Sequence, residues 1–236
     1  MYRNYHALRL GWLKNEIDKL PLIYMGDETM YVYFGGKRHR YYIHSRNGQK
    51  WYDVAMKRNE LQKEYDRLKK EWDSTYKIKP PEVNFPIVGK NRMNNDYYDS
   101  REECKNDKII RHPTYYKGIA FRSKNEQMAA IILDEMGIEY KYETELKISD
   151  FLTIHPDFLI DSRAADRCVY MEIFGAPDDP DYKETMKTRL RPYISVGLRP
   201  GADVMMVYAP TSHSFDVEEL RKQIGLIMEN ITPDLK

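Results

Sequence analysis

Glu172 constrains this chain more than any other residue. It sits in the run VYMEIF at 169–174, where every other side chain is apolar or aromatic. A run of that kind reads as a strand buried on both faces, and an unpaired charge there costs several kcal/mol. The cost vanishes only if something of opposite charge lies alongside. A second carboxylate, Asp157, opens the preceding apolar run, IHPDFLI at 154–160. Side chains alternate along a strand, so Asp157 at the head of one strand and Glu172 in the next can lie side by side across a ladder. Glu126, in an earlier helical run, stands among Ala129, Ala130 and Leu133 on the flank that should be buried. Three carboxylates converging on one end of a sheet repel one another unless a cation sits among them. A hard divalent ion resolves that conflict, and Mg2+ favours a few carboxylates plus waters and phosphate oxygens.

The elements around these residues follow from periodicity and punctuation. SKNEQMAAIILDEMG reads as a helix capped by Ser123 and ended at Gly137. Strands are expected at about 139–148, 155–160 and 167–174. DDPDYKETMKTRLRPYISVG starts as a helix on Asp and Pro, ADVMMVYA is a buried strand, and DVEELRKQIGLIMENI is a closing amphipathic helix. The order is α-β-β-β-α-β-α, a mixed sheet flanked by helices, over 118–236. Tyr182 and Tyr193 read as packing residues of the second helix.

Ahead of this core, 1–80 forms a separate region. Residues 4–19 read as an amphipathic helix. Gly35-Gly36 and Asn47-Gly48 are turn signals that suggest a three-stranded meander at about 29–34, 38–44 and 49–53. From Ala55 to Tyr76, Leu61, Tyr65, Leu68 and Trp72 keep helical spacing, and Pro80-Pro81 ends the helix. That stripe is core if the helix folds back and a self-association surface if it projects. Lys37, Arg38, Arg40, Arg46 and Lys50 interleave with aromatic residues, a mixture suited to phosphates and stacked bases. Residues 81–117 have little periodicity and read as a connecting segment. Charge divides the same way, with 17 Lys and Arg against 10 Asp and Glu over 1–80, and 21 against 27 beyond. No apolar run approaches the roughly 18–20 residues needed to span a bilayer, and MYRNYHALRLGWLKNE has no apolar core of a secretory signal. Cys104 and Cys168 stand far apart without a CxxC context, so neither a disulfide nor a zinc site is expected, and the compartment is expected to be the cytoplasm.

Glu126 on a leading helix, HPDF with Asp157, and Glu172 on the next strand, taken in order, resemble the PD-(D/E)XK nuclease superfamily over about 118–230. FRSKNEQMAAIILDEMGIEYKYE, YMEIFGAPDDPDY and GLRPGADVMMVYA are similar to a bacterial and phage subgroup that joins this core to a tyrosine-rich N-terminal region. The resemblance implies a restriction-endonuclease-like core and metal-assisted hydrolysis of phosphodiester bonds, with Mg2+ as cofactor and Mn2+ as its substitute. It implies that Asp157 and Glu172 hold the metal, with the carbonyl of Ile173 as a further ligand and Glu126 assisting directly or through water. One departure stands out: the family places a lysine two positions after the glutamate, where this chain has Phe174. The similar subgroup also lacks it and carries a lysine later in the helix, at the position of Arg189. Lys187, and after it Lys183 on the same helix face, are the candidates to replace it. Lys124, Arg189 and His155 are candidate contacts to nucleic acid.

The sequence thus leads to a metal-dependent endonuclease acting on nucleic acid, expected to be double-stranded DNA, without a membrane role. Phe174 keeps two alternatives open: a degenerate nuclease fold that binds nucleic acid or a protein partner, and a nuclease subunit active only in a larger assembly; beside nucleic acid, the partners to expect are a second copy of the chain or another protein.

Overall fold

In the computed structural model, residues 3–83, 85, 93–103, 112–175, 180–208 and 216–233 are described, apart from the side chains of 180–183 and 185. The chain is a mixture of helices and several small sheets, and it divides into two compact units, Arg3–Pro86 and Ile87–Asp234. No helix among the described residues is long and apolar enough to cross a membrane.

In the first unit, helix α1 (Arg3–Lys19) leads into strands β1 (Leu22–Met25), β2 (Thr29–Phe34) and β3 (Lys37–Tyr42), followed by helix α2 (Arg46–Tyr76). Leu68 and Trp72 of α2 bury against Ala7, Leu10 and Leu13 of α1, with Leu61 and Tyr65 beside them. The α2 stripe is therefore core. Polar ties pin the two helices: the ring Nε2 of His6 lies 3.0 Å from the Leu68 carbonyl, and Arg9 pairs with Glu64 at 2.9 Å.

The meander is antiparallel in the order β1-β2-β3, and it differs from the expected one. Residues 49–53 are helical, and the third strand is the unforeseen β1. Asn47-Gly48 is not a hairpin turn, because Ser45 caps α2 and its Oγ accepts the Gly48 N–H at 3.0 Å. A Cβ on Gly48 would lie 1.8 Å from the Tyr42 carbonyl oxygen, so the glycine permits a close approach of backbone rather than a reversal. Gly35-Gly36 does form the β2–β3 turn, with φ of 57° and 71°.

The second unit holds α3 (Asn95–Asp99), the hairpin β4 (Thr114–Tyr116) and β5 (Ile119–Phe121), α4 (Lys124–Glu135), β6 (Glu139–Tyr142), the hairpin β7 (Leu146–Ser149) and β8 (Leu152–Ile154), β9 (Phe158–Ser162), β10 (Arg167–Phe174), α5 (Pro180–Ser195), β11 (Val204–Tyr208) and α6 (Val217–Ile231). Its main sheet runs β6-β9-β10-β11, with the first two pairings antiparallel and β10–β11 parallel. Helices cover both faces. Leu159, Cys168 and Tyr170 pack with Tyr193 and Leu198 at α5 and with Tyr98 of α3, while α4 and α6 lie together elsewhere on the sheet, against β6 and β11.

The strand expected at 139–148 is split. Glu143 takes a left-handed φ of 50° and is buried against Arg122 at 2.6 Å, so the chain leaves the sheet after Tyr142 and resumes as the separate β7–β8 hairpin. Part of the expected connection at 81–117 belongs to this unit: Asn94 caps α3, and the N–H of Cys168 donates to the Met93 carbonyl at 3.1 Å. Cys168 is buried, and Cys104 lies outside the described residues.

Candidate functional site

The β9–β10 ladder pairs Met171 with Phe158, and the same register carried one residue further sets Asp157 opposite Glu172. Residues directly opposite in an antiparallel pair share a face. Both carboxylates are buried, at 9% and 3% exposure, and both meet α5. Asp157 accepts the Ile173 N–H on Oδ2 at 2.7 Å, which fixes its carboxylate against the end of β10.

The cation between them is Arg189. Its Nη2 lies 3.3 Å from Asp157 Oδ1 and 2.8 Å from Glu172 Oε2. The latter contact is an ion pair, and among the described residues Glu172 Oε2 has no hydrogen-bond partner. Tyr193, one turn along α5, donates its hydroxyl to Glu172 Oε1. Phe174 is fully buried, and the guanidinium of Arg189 lies 5.4 Å above its ring. The positive charge beside the two carboxylates thus comes from α5, over the face of the Phe174 ring, where the resemblance led to the expectation of a lysine.

Burial dominates the protonation of the pair. It raises Asp157 well above the usual carboxylate range, and the Glu172 charge adds to that, against the opposing pull of Arg189 and the Ile173 N–H. Burial likewise raises Glu172, opposed by Arg189 and by the Tyr193 hydrogen bond. Tyr193 is raised in turn by burial and by the Glu172 charge, so its proton stays in place as a hydrogen-bond donor.

The remaining candidates divide sharply. The hydrogen bonds of Glu126 go to its own helix start and to Tyr142, while its charge adds to the upward shift of both Asp157 and Glu172. Glu126 Oε1 accepts from the Ser123 hydroxyl at 2.8 Å, and its Oε2 accepts from the Tyr142 hydroxyl at 2.6 Å and the Arg122 N–H at 3.2 Å. Ser123 Oγ accepts the Glu126 N–H at 3.2 Å in return, a relative of the capping box in which the carboxylate takes the serine hydroxyl and the preceding N–H of Arg122. Tyr142 pairs in register with Phe158, so it shares the face opposite to that of Leu159 and the carboxylates. Lys187, the favoured replacement for the missing lysine, is exposed and pairs with Glu184 at 2.9 Å instead of meeting the carboxylates. The side chain of Lys183 lies outside the described residues. Lys124 is exposed in the first turn of α4, and His155 is half-buried with an Nδ1 that has no hydrogen-bond partner among the described residues. Lys37, Arg38, Arg40, Arg46 and Lys50 are all exposed in the first unit.

Two site residues escaped sequence reasoning in these roles: Arg189 as the central cation and Tyr193 as a donor to Glu172. The four-residue spacing that puts both on one face of α5 was the available signal.

Among the described residues, no three His, Cys, Asp or Glu side chains gather into a metal-binding cluster. Two oxygens nonetheless fit a hard cation: the Glu172 Oε2 that lacks a hydrogen bond and the Asp157 Oδ1 with only a long one. Mg2+ is commonly held by one or two carboxylates, with substrate phosphate and water completing its shell. No protein-family model matches the chain, and neither a curated protein nor a solved structure matches it.

Proposed function

We propose that this protein is a metal-dependent endonuclease of the PD-(D/E)XK type, hydrolysing phosphodiester bonds of DNA. One observation carries the reading: two buried carboxylates opposite each other on adjacent antiparallel strands, with an arginine from the following helix aimed at both. The order of elements supports it. Helix α4 precedes β6, β9 and β10 of the main sheet, with the β7–β8 hairpin inserted between β6 and β9, and α5, β11 and α6 follow, in keeping with the expected α-β-β-β-α-β-α order.

Asp157 and Glu172 would hold Mg2+, or Mn2+ in its place. The ion supplies Lewis-acid polarisation of the phosphate and a lowered pKa for water. Arg189, whose side chain is 37% exposed, can turn from the carboxylates toward solvent and neutralise phosphate charge. It stays protonated and so acts as an electrostatic group rather than a base. Tyr193 and the Ile173 N–H keep the two carboxylates aimed.

Supercoiled plasmid incubated with Mg2+ or Mn2+ tests the reading. Wild-type protein is expected to nick or linearise it, and Asp157→Ala is expected to leave it intact; identical DNA patterns from the two proteins would defeat the proposal. Phe174 at the lysine position favours a second reading, in which the fold binds DNA without cutting. That reading expects metal-independent binding and no products, and cleavage abolished by Glu172→Ala excludes it.

A further inference from the structure

The sheet of the first unit has one covered face and one bare one. In the register, Tyr24 pairs with Tyr31, Tyr31 with Arg40, Tyr33 with Arg38, and Thr29 with Tyr42, so these side chains share a face. The opposite face carries Met30 and Val32, both fully buried. On the bare face Tyr24, Tyr33 and Tyr42 are 60%, 40% and 61% exposed, and Leu22 beside them is 52% exposed. No Asp or Glu lies among the residues of this face.

The rings are already arranged. Tyr24 and Tyr33 meet edge to face at 5.6 Å between centroids. The Arg38 guanidinium lies 4.9 Å above Tyr31, and that of Arg40 lies 5.4 Å from the centre of Tyr42. Stacking on a ring holds a guanidinium extended while leaving its N–H groups to water or to a ligand. Contiguous exposed aromatic surface of this kind marks a binding site in a soluble protein. Two features identify the ligand. Arginines without a nearby carboxylate select a polyanion, and tyrosine rings offer flat faces on which bases stack. In a duplex the base faces are occupied by one another; in a single strand they are free.

We propose that the bare face of the β1–β2–β3 sheet binds single-stranded nucleic acid. Unpaired bases stack on Tyr24, Tyr33 and Tyr42, and phosphates meet Arg38 and Arg40. The assignment rests on the nuclease reading only in taking nucleic acid as the ligand. Binding on this face needs neither metal nor cleavage, so either proposal can fail alone.

The experiment is fluorescence anisotropy of the full chain in EDTA, with a labelled oligothymidylate of roughly 20 nucleotides and a duplex of equal length. The single strand is expected to bind about tenfold or more tighter than the duplex. Tyr24→Ala combined with Tyr33→Ala is expected to weaken single-strand binding by about tenfold or more, while the unfolding midpoint falls only by the loss of their mutual ring contact and stays well above the assay temperature. Tyr42→Ala alone provides a milder second variant, expected to weaken binding in the same direction. Arg38→Gln with Arg40→Gln is expected to lower the slope of log affinity against log salt by about 1.4. Equal affinity for both oligonucleotides, or tyrosine variants that bind like wild type, would overturn the proposal. So would a homodimer, seen by sedimentation, that the tyrosine substitutions dissociate, since the face would then belong to a second copy of the chain.

Discussion

At the scale of residues, the site is a problem in charge. Asp157 and Glu172 are buried where a carboxylate prefers its proton, and Arg189 offsets only part of that preference, because both groups remain raised. A raised carboxyl makes the native state hold protons that the unfolded chain has already released, from about pH 4 upward. The contribution of the pair to stability is therefore complete below the ordinary carboxylate pKa and is lost as pH rises through the raised values. Asp99, Glu184 and Asp203 are lowered and act below that window, whereas His6 in the first unit is lowered by burial and adds an opposing rise within it, so the pair is read on the unfolding of the second unit. Urea unfolding in EDTA is expected to show stability falling with pH above about 4, and Glu172→Gln is expected to flatten the slope by removing one raised group and relaxing Asp157. A second-unit transition that grows more stable across that window would mean the pair is ionised and fully compensated. The sequence disclosed the two carboxylates because a charge in an apolar strand has no cheap explanation. It did not distinguish Arg189 from Lys187, since two basic residues half a turn apart on a helix look equivalent until the helix is rotated against its sheet. Glu126 has a second reason for its burial beside its charge on the pair: a glutamate three residues after a serine cap serves the helix itself.

At the scale of elements, the start of α2 is the point where local chemistry overrides a familiar signal. The segment SRNG contains Asn-Gly, the commonest hairpin dipeptide, yet Ser45 spends it on a helix cap. Ser45→Ala is expected to cost about 1 kcal/mol, the ordinary value of a lost cap. Gly48→Ala is expected to cost more, although alanine is the better helix former, because its Cβ would meet backbone at Tyr42 and not a movable side chain. The two unfolding midpoints, compared in one denaturant series, check the order; alanine at 48 matching or exceeding wild type would remove the argument for close approach. The same logic separates what could be read from what could not. Capped amphipathic helices such as α4 and α6, and the apolar strands β10 and β11, announced themselves through period and caps. Strand β1 is only four residues, and the break at Glu143 depends on a left-handed backbone at a non-glycine residue, which no periodicity encodes.

At the scale of the whole molecule, each of the two units has a core of its own. Leu10, Leu13, Leu68 and Trp72 fill one, and Leu159, Tyr170, Tyr193 and Val204 belong to the other. The contact boundary at Pro86 and Ile87 falls close to the change in charge between the basic front and the acidic remainder. Two cores permit two unfolding transitions, and the proposed ligands divide between them. A divalent ion binding Asp157 and Glu172 stabilises only the unit that contains them. At about 100 times its Kd it contributes about 2.7 kcal/mol. For a unit of this size each kcal/mol moves the midpoint by roughly 2–4 °C, so one transition is expected to rise by about 5–10 °C. An oligothymidylate in EDTA is expected to raise the other. Calorimetry of the full chain with Mn2+ alone, oligonucleotide alone, and both reads the two effects separately. A single transition, or Mn2+ raising the transition that the tyrosine variants identify as the first unit, would dissolve this division of labour. Independent shifts would place cation chemistry and strand recognition on different folding units of one chain.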